Sequence, residues 1–258
     1  MEPWSINLFK RSVVKQVKFH YLKQFLGDYK GKRCLDLGSD NGVISYVLRL
    51  SGGQWASADI EDQAVDSIRN LVGSDVHKIS ETNTPFADEE FDLIAIVDLL
   101  EHVHADRDFL KEIDRILKKG ATLIVNVPNK KRFSILRSIR NFLGLTDEQH
   151  GHVREGYTFE EIKNMLPGYQ IERKKTYSKL FLELIDIMIS FAFHKLSKGR
   201  ESKKGTLVTE GDMKKHNKIF FIYSLTYPFL WLIAQLDYLL FFMKGYRLIV
   251  KAKKIENV

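Results

Sequence analysis

The stretch Cys34-Leu35-Asp36-Leu37-Gly38-Ser39-Asp40-Asn41-Gly42-Val43-Ile44-Ser45 joins an acid, two glycines and a change from an apolar run to helical spacing. It reads as a strand, a tight ligand-binding turn and a helix start. Gly38 lets main chain approach a ligand closely, and free N–H groups at a helix start favour an electronegative group. Gly42 allows the first helical turn to pack close to the strand. The spacing rules out two phosphate chemistries: a dinucleotide G-x-G-x-x-G begun at Gly38 would need glycine where Asp40 and Val43 stand, and no Gly-Lys-Ser/Thr follows for a P-loop. If the loop instead holds the nucleoside end of a cofactor, an acid at the tip of the second strand should accept both ribose hydroxyls. Asp59, followed by Ile60, occupies that tip; the blander role for Asp59 is capping the next helix.

The elements that must position these residues alternate. Strands are expected at 33–38, 54–59, 75–79, 91–97 and 121–127, with helices at 42–50, 62–72 and 106–118, the pattern of βαβ units and a parallel sheet covered on both faces. Gly52-Gly53 and Gly120 punctuate helix-to-strand turns, and Thr158-Phe-Glu-Glu161 is a capping box opening another helix. A sixth strand spans Tyr169 to Tyr177 and a last one Tyr246 to Ala252. Residues 5–30 have the spacing of an amphipathic helix or helix pair ending near Gly27.

With 258 residues, 44% of them hydrophobic and 28% charged, the chain can bury a full core. Its single cysteine, Cys34, cannot form an internal disulfide, and the start carries no apolar run of signal-peptide length, so a cytoplasmic setting is expected. The net charge of +7 invites a nucleic-acid or acidic-membrane partner, and its distribution decides between them. His194 to Lys218 holds eight Lys/Arg against Glu201, Glu210 and Asp212, five of those seven charges. That link joins two greasy segments, Leu180–Phe193 and Ile219–Phe242, whereas nucleic-acid grooves interleave charge with stacking aromatics. No nucleic-acid partner is expected.

Further segments carry a resemblance. Asp36-x-Gly38 with Gly42 four residues on is similar to the first motif of class I S-adenosylmethionine (SAM)-dependent methyltransferases, usually D-x-G-x-G-x-G; Asp40 stands at the middle glycine. Pro85-Phe86-Ala87-Asp88-Glu89-Glu90-Phe91-Asp92 resembles a segment of the type 11 branch, as do Ile96–Val103 after strand 4 and Ile116–Leu123 before strand 5. The resemblance covers 30 to about 175 and resumes at 245. It implies a Rossmann-like α/β fold with a seven-stranded, mostly parallel sheet and an antiparallel last strand. It implies SAM as cofactor, with Asp36, Gly38, Ser39, Asp40, Gly42, Asp59, Ile60 and Asp98 around it. Ser80 falls where the branch has an adenine-contacting Asp, so Ser80, Glu81 or backbone would take that contact. For a hydroxyl acceptor a base is also implied: His150 or His152 on a Gly-containing loop over the cleft, then His102, although a packed structural role for His102 is equally open. Asp98-Leu-Leu-Glu101-His102 is similar to the E-x-x-E-H segment of ubiquinone-biosynthesis O-methyltransferases, in which that cluster can hold a divalent cation. The first acid is shortened here, and no metal is assigned.

The expected organisation is a helical cap over 1–30, a SAM-binding domain over 31–177 plus 245–258, and a hydrophobic and basic helical insert over 178–244. The insert favours a lipid-linked, prenylated or other hydrophobic small-molecule acceptor and an anionic membrane surface as partner. It should lie on that surface without crossing it, because Pro228 breaks the second run, Leu180–Phe193 is too short to span, and the last strand must return to the same sheet. The alternatives are a soluble sugar or small-molecule methyltransferase whose insert is a lid or homo-oligomer interface, and a non-catalytic SAM-fold scaffold at a membrane.

Overall fold

The computed structural model describes residues 3–131, 134–147, 151–196 and 217–255. Two helices, α1 (Trp4–Lys10) and α2 (Val13–Leu26), precede the sheet. The Ser12 side chain caps α2 by accepting from Lys15 N, and Gly27 ends it at φ +71°. Then come β1 (Arg33–Leu37), α3 (Val43–Leu50), β2 (Gln54–Asp59), α4 (Asp62–Val72), β3 (Val76–Lys78), β4 (Phe91–Val97), the 3-10 turn η1 (Leu100–His102), α5 (Asp106–Ile116) and β5 (Leu117–Pro128). After α6 (Ile135–Phe142), α7 (Phe159–Met165) and β6 (Tyr169–Tyr177) the chain leaves the sheet for α8 (Leu180–Leu196), α9 (Asn217–Gln235) and the 3-10 turn η2 (Leu236–Leu240). It returns as β7 (Arg247–Lys254).

The strands form one seven-stranded sheet in the order β3-β2-β1-β4-β5-β7-β6, with β7 antiparallel to both of its neighbours. Alternate residues of the central strands feed opposite faces. Leu35, Leu37, Ile94, Ile96, Leu123 and Val125 pack with Phe109 and Ile113 of α5 and Ile162 of α7. Cys34, Leu93, Ala95 and Ile249 pack with Leu22, Phe25 and Leu26 of α2 and Leu48 of α3. Burial on both faces explains why β1 and β4 read as nearly continuous apolar runs. It also makes Cys34 inert, since burial pushes its thiol up to about 12.

Three expectations need correction. The helix expected to reach residue 118 stops at Ile116, and Gly120 lies inside β5. There β4 and β5 lose register, Phe91 pairing with Leu117 but Leu93 with Thr122, so Gly120 at φ +71° serves a bulge and not a helix end. Pro228 does not break its run, because α9 continues through it. Proline removes one backbone donor, and packing of Tyr227, Leu230 and Ala234 against Val13, Leu182 and Ile185 holds the helix across the gap. Finally, Gly42 makes room for α4, not β1: a Cβ there would lie 2.8 Å from Ile68 Cα.

The insert is fastened at its base. Asp237 accepts from Lys179 N at 2.7 Å and Phe181 N at 2.8 Å, so η2 caps the start of α8. Glu183 and Asp186 meet Arg140 of α6, each at 3.2 Å. Tyr246 N donates to Ser178 O, and a Cβ on Gly245 would lie 2.0 Å from Tyr177 O. Gly245→Ala should therefore cost about 1–3 kcal/mol of stability by overpacking the junction. Urea unfolding measures this, and a variant as stable as the parent would mean the junction gives way freely.

Candidate active site

The strand order reverses between β1 and β4, and an open α/β sheet binds ligands beyond the carboxyl ends of its strands at such a point. The loop after β1 is built for that position. Gly38 sits at φ +88°, and a Cβ on it would fall 2.3 Å from Val97 O at the end of β4. Only glycine lets the two strand ends close in this way. Ser39 Oγ accepts from Ser45 N at 3.0 Å, and Asp40 takes the left-handed conformation at φ +49°. Asp36 is buried behind the loop, accepting from Ser45 Oγ at 2.6 Å and Ser57 Oγ at 2.7 Å. Burial raises its pKa to about 6 despite these bonds. Its carboxyl thus ties β1 to α3 and β2 and shapes the turn from behind.

Asp59 lies at the tip of β2, fully buried, with Oδ1 accepting from Glu61 N at 3.0 Å. Ile60 packs against the core beside it. Ser80 Oγ accepts from Asn83 N and closes a turn. Glu81 accepts from His104 N at 3.0 Å and Ala105 N at 3.1 Å, fixing the start of α5. Both side chains expected near an adenine are therefore engaged within the protein.

Asp98, at φ +47° after β4, is the hub of a buried network. It pairs with Lys18 of α2, accepts from Asn126 Nδ2 at 3.0 Å and lies 3.4 Å from Arg247 Nη1 of β7. Burial alone would raise its pKa, but Lys18 and Arg247 outweigh it and hold the carboxyl at about 2. Through Lys18 the N-terminal helix reaches the end of β4.

The next turn holds the group with the most chemical scope. Glu101, His102 and His152 each offer a ligand atom, all within 4.8 Å of one another. The imidazoles of His102 and His152 meet edge to face at 4.8 Å. His102 Nδ1 lies 2.9 Å from Gly151 O, which assigns the proton to Nδ1 and leaves Nε2 as an acceptor. His152 Nδ1 is 3.7 Å from Asp147 Oδ1. His150 lies outside the described residues. Of the three residues weighed as cation ligands, Asp98 has turned to Lys18 and Arg247, and His152 stands in its stead. One carboxylate with two imidazoles could hold a divalent cation, and the donor set suits zinc better than magnesium.

Neither oxygen of the buried Glu101 forms a hydrogen bond of ordinary geometry. Burial, and then Asp98, push its pKa to about 8 from an ordinary 4.5. The protonated form stabilises the fold fully below 4.5, and that contribution is lost as pH rises through about 8. With chelator present, Glu101→Gln should be more stable than the parent above pH 8, by several kcal/mol. Chemical unfolding across pH reads this, and parallel curves for the two proteins would refute it.

His152 also lines a cavity of about 80 Å³ between the ends of β5 and β7, with Asn129, Arg137, Arg140, Asp147 and Arg247 among its walls. Arg137 pairs with Asp147 and Glu155, and Arg140 with Glu183 and Asp186, so the charges are largely balanced inside the wall. The wall beside His152 is polar. A larger cavity of about 720 Å³ lies between α7 and β6, at the far edge of the sheet.

Residues 35–125 match a family described as a methyltransferase domain. That span contains the loop, Asp59, Asp98 and Glu101-His102, on a sheet whose last strand is antiparallel. The sheet has the class I methyltransferase fold. Demethylmenaquinone methyltransferase of Clavibacter sepedonicus is 34% identical over 100 residues, 37% of this chain and 40% of that protein. Ubiquinone biosynthesis O-methyltransferase of Coxiella burnetii is 26% identical over 133 residues, 49% of this chain and 56% of that one. The chain therefore spans about half the length of the curated relatives it matches. Among solved structures, an S-adenosylmethionine dependent methyltransferase from Mesorhizobium loti aligns with a TM-score of 0.58 at 13% identity, covering 92% of this chain and 97% of that one. The [4+2]-cyclase SpnF aligns at 0.60 and 17%, covering 93% and 80%.

Two residues at the end of β4 escaped the sequence reading, Lys18 and Arg247. Lys18 falls within the expected amphipathic helix and Arg247 within the expected last strand, and neither position is marked there by a motif. Only the fold brings both to Asp98. Tyr157 was also missed; its hydroxyl donates to Leu100 O at 3.1 Å and lies 3.0 Å from Asp106 Oδ2, which holds the segment after His152 against η1.

Proposed function

We propose that the protein transfers a methyl group from SAM to a hydroxyl oxygen of a lipid-linked, prenylated or otherwise hydrophobic small molecule. The observation that carries the reading is the convergence of His102 and His152 after β4, on the same strand ends as the Gly38 loop and Asp59. The quinone-related names of the curated relatives and the apolar helices α8 and α9 support the acceptor class.

SAM, when bound, supplies a methyl carbon already activated by its sulfonium, so the hard chemistry belongs to the cofactor. Gly38 and Asp40 fit that group by giving the loop the backbone turn it needs, and Asp59 offers a carboxylate to a ribose diol. The rest falls to positioning and proton transfer. As the acceptor oxygen forms its bond to carbon it must lose a proton, and His152 takes it. His102 donates Nδ1–H to Gly151 O, so it holds the loop that carries His152.

The polar wall beside His152 favours a second reading, a soluble sugar or other small polar acceptor. A panel of labelled-methyl transfers to prenylated phenols and to water-soluble sugars and catechols separates the two. Transfer to the prenylated acceptors alone supports the first reading, and transfer to the soluble ones alone supports the second. SAM binding without transfer to any would favour the scaffold.

A further inference from the structure

The helix α9 is apolar on two opposite faces, and the protein covers only one. Tyr227, Leu230 and Ala234 face inward onto α2 and α8, and Tyr227 OH donates to Gln16 Oε1 at 2.9 Å. The outward positions Phe221, Leu225, Phe229, Leu232 and Leu236 follow one another at spacings of four, four, three and four, and all are exposed. The band continues through η2 and beyond, where Tyr238 and Leu239 are exposed and Phe241 and Phe242 stand 84% and 72% open. A soluble surface rarely carries so continuous an apolar strip without a partner.

We propose that this strip is a docking face for the surface of an anionic lipid bilayer. Charge complementarity singles out that occupant. From Asn217 to Met243 the only acid is Asp237, and its carboxylate is turned inward to cap α8, so the strip offers no negative side chain to lipid. The sequence joining α8 to α9 carries six Lys/Arg against three acids, three of the chain's seven net positive charges, and Lys179 and Lys244 lie beside η2. A face for a second copy of this chain would have no need of that bias, whereas a face lying among anionic headgroups does. Trp231 and Tyr238, each partly exposed on the strip, are of the type that settles at headgroup depth. The depth is limited to the surface. No helix among the described residues is long and apolar enough to cross a membrane, and β7 must rejoin the sheet that β6 left. The inference is independent of the proposed chemistry, since it concerns residues away from the strand ends.

Flotation of the full chain with vesicles tests it, using phosphatidylcholine alone or with roughly a third phosphatidylglycerol. The parent should float with the anionic vesicles and bind neutral ones at least tenfold more weakly. Phe229→Ser/Leu232→Ser and, separately, Phe241→Ser/Phe242→Ser should each lose flotation while keeping the parent's thermal unfolding, because these side chains are solvent-exposed. Three results would overturn the proposal: no flotation with either vesicle, equal flotation with both, or variants that float like the parent. A parent that sediments as a dimer, becomes monomeric in these variants and ignores vesicles would assign the strip to a second copy instead.

Discussion

Replacing His152 by Gln should lower methyl transfer by roughly 10²–10⁴-fold, the usual worth of a positioned general base, and leave SAM affinity unchanged. Gln keeps much of the side chain's size and polarity but cannot accept a proton. The base must be neutral to act, so turnover of the parent should fall on the acid side. That limb should vanish in the variant. His102→Gln should cost less, because the bond from Nδ1 to Gly151 O positions the loop and does not carry the acceptor's proton. Steady-state rates across pH for both variants decide the assignment. An acid limb that survives in His152→Gln and disappears in His102→Gln would exchange the two roles.

The second large effect belongs to Asp59. Its carboxylate stands buried at the tip of β2, one strand from the Gly38 loop, where charge-assisted hydrogen bonds to a vicinal diol would form. Such bonds are worth about 1.5–3 kcal/mol, so Asp59→Ala should weaken SAM and S-adenosylhomocysteine alike by roughly ten- to hundredfold. Asp59→Asn, which can still accept at one oxygen, should fall between. Calorimetric titration of the folded variants reads the change. Full affinity in Asp59→Ala would reduce the residue to its local bond with Glu61 N.

The sheet was legible because parallel strands buried on both faces must be continuous apolar runs, and those runs sit between helical spacings. Gly38 was legible as a glycine, though the reason it must be one, the 2.3 Å approach of a Cβ to Val97 O, belongs to a strand 59 residues further on. Other contacts depend on equally distant residues and were not legible. Asp98 was read as a cofactor contact, and its carboxylate is also held by Lys18 and Arg247, from the two ends of the chain. Glu81 was read beside an adenine, and it also accepts at the start of α5, because a carboxylate near free N–H groups is drawn to them. Pro228 looked like a helix break, and tertiary packing overrode its local cost. In the insert, the sequence marked both helices as greasy but could not say that α8 would be covered by α2, α6 and α9 while α9 kept one face to solvent.

A loop at the β1/β4 reversal that binds SAM should show itself in calorimetric titration of the unmodified chain with SAM, S-adenosylhomocysteine and NADH. Saturable one-to-one binding of the first two, with no heat from NADH, is the expected result; saturable NADH binding with no response to SAM would overturn the assignment of the loop.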